Sequence, residues 1–226
     1  MAFHVADANG WNALHLAVKN SSLELVKAIL DVKDIDQCAR TLNGSNALHL
    51  SIEFGAFDVF KHLLTNLKCP LNDANGFGLV HRAAMHGRLE ILREIVRQKG
   101  GESAETKNGA IALHIACQYG HFEVAKYLAD SGCINKRDHN NWTPLHFAAK
   151  MGHFEIVKIL SAIPSIDFHA TTKDGKTALD LTESAKIKEF LGGGNGNEDN
   201  TKLNSSAHRI SFTVLSFFLL FLGLFQ

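Results

Sequence analysis

The chain has no excess of either charge: across its 226 residues, 23 Lys and Arg balance 23 Asp and Glu. Without a basic stripe there is no electrostatic reason for it to bind nucleic acid. Cysteine is sparse, and Cys38, Cys69, Cys117 and Cys133 form no Cys-x-x-Cys pair. Their unlike settings read as reduced core or surface thiols of a cytosolic protein, not as a disulfide framework or a metal site. Met1 to Asp7 has neither a basic start nor an apolar run, so no secretory signal is expected there. The bulk of the chain is therefore expected in the cytosol or nucleus, where the glycosylation patterns at Asn20, Asn43 and Asn141 go unused. No His-x-x-x-His pair, nucleophile elbow or Gly-Lys-Ser/Thr phosphate loop occurs, so no catalysis, metal or cofactor is expected.

What the chain does have is a recurring dipeptide. Leu14-His15, Leu48-His49, Leu113-His114 and Leu145-His146 are joined by Val80-His81, at histidine spacings of 34, 32, 33 and 32 residues. A period near 33 marks one small unit copied and stacked. Five positions before each histidine stands Gly10, Gly44, Gly76, Gly109 or Asn141, residues that tolerate the left-handed backbone of a tight hairpin. Helix starts follow at Asn12, Asn46, Gly78, Ile111, Thr143 and Thr177. Asn and Thr can accept from the free amides of the first turn, so the starts at Gly78 and Ile111 are expected to be looser. The first helix carries a large residue (Leu14, Leu48, Val80, Leu113, Leu145) and, three places on, a small one (Ala17, Ser51, Ala83, Ala116, Ala148). That face lets neighbouring helices approach closely. The second helix follows breaks at Gly55, Gly87, Gly120 and Gly152. It opens on an acid (Glu24, Asp58, Glu90, Glu123, Glu155) suited to the helix dipole, with a cation three residues later (Lys27, Lys61, Arg93, Lys126, Lys158). Each such pair is worth about 0.2 to 0.5 kcal/mol on a solvated face.

Around His146 the frame is complete: Thr143-Pro144-Leu145-His146-Phe147-Ala148-Ala149, then Gly152-His153-Phe154-Glu155. It resembles the ankyrin repeat, and the resemblance covers Asp7 to about Leu191. It implies an all-α solenoid with a β-hairpin loop and an antiparallel helix pair per copy. The copies fall at about 7–40, 41–72, 73–105, 106–137 and 138–171, with a shortened capping copy at 172–191. No copy buries its own apolar face, so stability must come from the interfaces between copies. At the other end no cap is evident, and copy one is either shielded by its polar residues or the remnant of a longer stack. The resemblance also implies that the repeated histidine bonds to the adjoining loop, which makes His15, His49, His81, His114 and His146 structural. His121 and His153, at helix starts, are read the same way.

The resemblance further implies that the residue after the hairpin glycine and the two before the mid-copy glycine project onto a concave partner-binding face. The candidate binding residues are Trp11, Lys19, Asn20, Phe54, Phe77, Met85, His86, Tyr119, Trp142, Lys150 and Met151. Five aromatics on a face expected to be wet is an excess, and aromatics and Met are common in binding hot spots, the alternative for Trp11 and Trp142 being local packing on their own hairpins.

Residues 192–209 are rich in Gly, Asn and Ser and read as a flexible linker reaching on the order of 25 Å. Ile210 to Phe225 holds no charge and includes five Phe and five Leu. As a helix these residues would extend roughly 24 Å, short of a roughly 30 Å hydrocarbon core, yet insertion is favourable by on the order of 4 to 7 kcal/mol. Residues 210–226 are read as a C-terminal membrane anchor resembling that of tail-anchored proteins. A lipid-attachment signal near Gly194-Asn195-Gly196 and a merely sticky end are the alternatives. The expected function is a monomeric, non-catalytic scaffold that presents its concave face to a protein partner near a membrane. The competing readings are the recognition arm of a larger enzyme or channel, and a soluble inhibitor of a transcription factor.

Overall fold

The structure, a computed structural model, describes residues 6–32, 35–72 and 76–193. The first helix of each copy is α1 (Ala13–Lys19), α3 (Ala47–Phe54), α5 (Leu79–Met85), α7 (Ala112–Tyr119), α9 (Pro144–Lys150) and α11 (Ala178–Leu181). The second is α2 (Leu23–Leu30), α4 (Phe57–Asn66), α6 (Leu89–Lys99), α8 (Phe122–Ala129), α10 (Phe154–Ser161) and α12 (Ala185–Gly192). Odd helices pack on odd neighbours and even on even, and each odd helix packs on its own even partner. The result is two parallel rows around one continuous core. Leu14, Leu48, Leu113 and Leu145 are each 1% exposed in it, and Ala83, Ala116 and Ala148 are fully buried. Burying a leucine contributes about 1.5 to 3 kcal/mol, and here neighbouring copies supply the cover.

Among the described residues no strand occurs, and the loops before α1, α3, α7, α9 and α11 are tight turns rather than the expected β-hairpins. These five turns close on two backbone bonds each, as in Thr41 N to Ser45 O (2.9 Å) with Gly44 N to Thr41 O (2.8 Å). Thr106, Asp138 and Thr172 head the same arrangement in later copies. Where both neighbouring turns are described, one bond links them: Leu42 N to Asn9 O at 3.0 Å, His139 N to Asn108 O at 2.8 Å, and Lys173 N to Asn140 O at 3.0 Å. A single bond per neighbour falls short of a strand ladder.

The repeated histidines lock these turns to the helices. Nδ1 of His15, His49, His81, His114 and His146 accepts from the backbone N–H three residues upstream at 3.0 to 3.2 Å. An Nδ1 that accepts leaves the proton on Nε2. That N–H donates to the loop carbonyls of Ala39, Leu71, Ala104, Lys136 and Ala170 at 3.0 to 3.3 Å, and at His114 also to Trp142 O at 3.1 Å. Gly78 and Ile111 have no side-chain cap, the feature from which looser starts were expected there. Asn12, Asn46 and Thr177 do cap with their side chains, but the ring nitrogens of His81 and His114 take the Gly78 and Ile111 amides without one. Thr143 is no side-chain acceptor either, since its hydroxyl lies 2.7 Å from His146 Nδ1.

A second staple joins successive copies. His121 Nε2 donates to Met85 O (2.8 Å) and His153 Nε2 to Gln118 O (3.2 Å), while Arg88 reaches Glu53 O at 2.7 Å in the same manner. The crossing rings lie over glycine: a Cβ on Gly87 would sit 2.5 Å from the His121 ring, and one on Gly120 2.5 Å from that of His153. In copy one, Ser21 takes the left-handed break instead, at φ 51°.

Of the five acid–cation pairs expected on the even helices, Glu24–Lys27 (3.1 Å) and Glu90–Arg93 (3.2 Å) close among the described residues. The expectation of four reduced thiols also fails: Cys38 and Cys69 form a disulfide, with Cα atoms 5.4 Å apart. They occupy unlike positions within their copies, but the loops of adjacent copies lie side by side. Cys117, wholly buried, and Cys133 are free, and burial pushes the Cys117 thiol far up. The linker from Gly194 onward and the apolar segment 210–226 lie outside the described residues. No helix among the described residues is long and apolar enough to cross a membrane.

Candidate protein-binding surface

Two kinds of position build the candidate surface, the residue that closes each turn and the C-terminal end of each odd helix. Trp11 and Trp142 are of the first kind. Their amides donate to Asp7 Oδ1 and Asp138 Oδ1, each at 2.8 Å, so the aspartate heading the turn also fixes the tryptophan. The rings then lean on the repeated histidines, Trp11 against His15 at 6.1 Å and Trp142 against His146 at 6.2 Å between centroids. Phe77 does the same with His81 at 5.5 Å.

The second kind meets the first across copies. Phe54, at the end of α3, packs edge-on against Trp11 at 6.1 Å, and Lys19 Nζ stands 5.7 Å from the Trp11 ring centre. Asn20 is exposed and caps α1. Met85 and His86, at the end of α5, are partly buried. Burial lowers the His86 pKa, and the charges of Arg88, Arg82 and His121 act with it against Glu53. Tyr119 is 50% exposed at the end of α7, and Met151 is 46% exposed at the equivalent place in the next copy. Lys150 beside it lies 3.9 Å from Glu183.

The five aromatics expected to be solvent-exposed are therefore not alike. Only Tyr119 stands open, while Trp11, Phe54, Phe77 and Trp142 are half-buried. The physical reason is mutual cover: edge and tilted ring contacts remove part of each face from water. The structure brings Trp11, Phe54 and Lys19 together. Trp142 instead meets Phe147, at 4.9 Å, a residue the sequence reading did not single out. Its signal was available: the place after the histidine holds Leu16, Leu50, Arg82, Ile115 and, in this copy alone, an aromatic. Among the described residues no three His, Cys, Asp or Glu side chains converge as a metal site.

A family profile described as ankyrin repeats in three copies matches residues 2–75, 80–174 and 134–191. The crystal structure of the human ASB11 ankyrin repeat domain superposes with a TM-score of 0.73, over 84% of this chain and 86% of that one, at 21% identity, which speaks for the fold alone. Potassium channel AKT1 of Arabidopsis thaliana is 40% identical over 63 residues, 27% of this chain and 7% of the channel. RelA-associated inhibitor of Mus musculus is 30% identical over 107 residues, 47% of this chain and 13% of the inhibitor. The match thus spans a small part of either relative. Repeats of this kind are in general interaction modules rather than catalysts, and the chain is a scaffold for protein–protein interaction. Turns, histidine locks and stacked helix pairs agree with the profile across most of the sequence: the chain belongs to the ankyrin repeat family.

Proposed function

We propose that the chain is an adaptor that holds one protein partner along the odd helices and their turns, and that residues 210–226 tether it to a membrane. The observation that carries the binding half is Tyr119. It is half open at the end of α7, where Leu113, Ala116 and Cys117 of the same helix are 0 to 1% exposed. With Met151 it forms the open centre of a surface whose flanks are Trp11, Lys19, Asn20 and Phe54 on one side and Trp142, Lys150 and Phe147 on the other. Phe77, Met85 and His86 line the middle. Amphipathic aromatics and Met are the side chains from which binding energy is concentrated.

Proteins captured by the full chain and by a Tyr119→Ala/Met151→Ala variant, compared side by side, test this half. A partner held by the wild type and lost by the variant is expected; one retained equally by both contradicts the assignment. The tether rests on the sequence of the apolar tail. Phe218→Arg with Leu219→Arg adds about 2.5 to 3.5 kcal/mol each to insertion. The fluorescently tagged chain should then move from membranes to cytosol, and a wild-type chain that is soluble from the outset removes the tether.

A second reading, the recognition arm of a larger protein, is favoured by the 63-residue match within a potassium channel. Reading the genomic frame upstream of Met1 distinguishes it from the adaptor.

A further inference from the structure

The two ends of the stack are unlike. One place after the repeated histidine stand Leu50, Arg82 and Ile115, exposed by 3%, 9% and 5%, and a partly exposed Phe147, but in copy one Leu16 is 48% exposed. Ten places after it stand Val59, Ile91, Val124 and Ile156 at 1 to 2%, but Leu25 is 44% exposed. The layer before covers these positions in the later copies, as α1 covers α3 and α2 covers α4. Ala13 completes the patch, partly exposed where Ala47 and Ala112 are fully buried. At the far end Lys186, Lys188 and Glu189 of α12 face solvent around a buried Ile187. Stacked repeats stay soluble when their end layers are polar outward, and of the two outermost described layers α12 is polar outward and α1–α2 is not.

The geometry points to a second copy of this chain as the occupant of the α1–α2 face, docked end to end about a twofold axis. The face continues, outward, the interface that already runs between copies, so what covers it is another apolar helix pair. A head-to-tail contact would set the leucines of α1 and α2 against the lysines of α12, which is costly in a dry contact. Like ends match instead: leucine meets leucine, and the exposed Glu24 and Lys27 that flank Leu25, 3.1 Å apart within one copy, offer each charge its opposite across the axis. An isologous contact of this kind closes as a dimer and leaves both polar ends outward. Two short helices per side bury on the order of 1,000 Å² in total, which places the dimer among weak, reversible ones. On this proposal the chain pairs where the sequence led us to expect a monomer.

Sedimentation of the full chain over a range of concentrations, beside a Leu16→Glu/Leu25→Glu variant, is the test. The wild type should approach twice 24.8 kDa as concentration rises. The variant should self-associate at least about tenfold more weakly. Its melting temperature should be unchanged at low concentration, because both side chains lie at the open end of the core. Lys186→Glu with Lys188→Glu, at the other end, should leave association as it was. A wild type of single mass at every concentration overturns the proposal, whether its own residues or a preceding segment cover the face. Association equal in the wild type and the leucine variant overturns it too, by placing the contact elsewhere, in the apolar tail for instance.

Discussion

A histidine that accepts at Nδ1 and donates at Nε2 works only as a neutral ring. Burial lowers the pKa of His15, His114 and His146, against the raising effect of the carbonyls they bond. The unfolded chain takes up protons near pH 6.5 that the folded rings refuse until lower pH. Their contribution is therefore complete above about pH 6.5 and is lost as pH falls below it, by at most about 1.4 kcal/mol per pH unit for each ring. Glu94, held at about 2 by Arg97 and Gln98, adds a separate loss only as pH falls below the ordinary carboxylate range. Melting temperatures should hold from pH 7.5 to about 6.5 and fall from there to pH 5.5, and a profile flat throughout would contradict the assigned ring state. Removing one ring outright, His114→Ala, orphans the buried Ile111 amide and opens a cavity, at about 2 to 4 kcal/mol in denaturant unfolding.

At the scale of the element, the mid-copy glycines differ in what lies above them. Gly120 has φ 78° and lies under the His153 ring, whereas Gly152, at φ 77°, has nothing within 4 Å of a built Cβ. Gly152→Ala should cost about 1 to 2 kcal/mol for the left-handed backbone alone. Gly120→Ala should cost roughly 1 to 3 kcal/mol more, since the ring must give way. Equal unfolding midpoints for the two would mean that the His153 staple is not tight. Both helices of each copy were legible in the sequence, because Leu113, Ala116 and the glycine breaks recur in phase. The staple's geometry was not, since the carbonyls that His121 and His153 reach lie 36 and 35 residues away. The same holds for the half-burial of Trp11, which comes from Phe54 in the next copy. The roles of Asp7 and Asp138 in holding the tryptophans were local and could have been read from their place at the head of the turn.

Across the whole molecule, stability is spread over interfaces, so a change at one should act on its neighbours first. Leu113→Ala, fully buried in the central copy, should cost about 2 to 5 kcal/mol, against less than about 0.5 for exposed Lys188→Ala. The Cys38–Cys69 bond closes a loop of sequence separation 31 between copies one and two. In the chain-entropy account its loss removes roughly 3 to 4 kcal/mol, and unfolding with and without a thiol reductant measures it. Amide exchange should rise in α1 to α4 rather than in α9 to α12, and unchanged midpoints would mean that the bond contributes nothing.

Binding and folding should separate at Tyr119, the open ring in the middle of the stack. The decisive measurement is the pair formed by the melting temperature of Tyr119→Ala and its affinity for the purified partner. A melting temperature close to that of the wild type is expected, with an affinity roughly 30-fold weaker, about 2 kcal/mol. Lys126→Ala, on the even row, should leave binding within about twofold. A sharp drop in the melting temperature of Tyr119→Ala, or unchanged affinity in a well-folded variant, would contradict the placement of the partner surface on the odd helices.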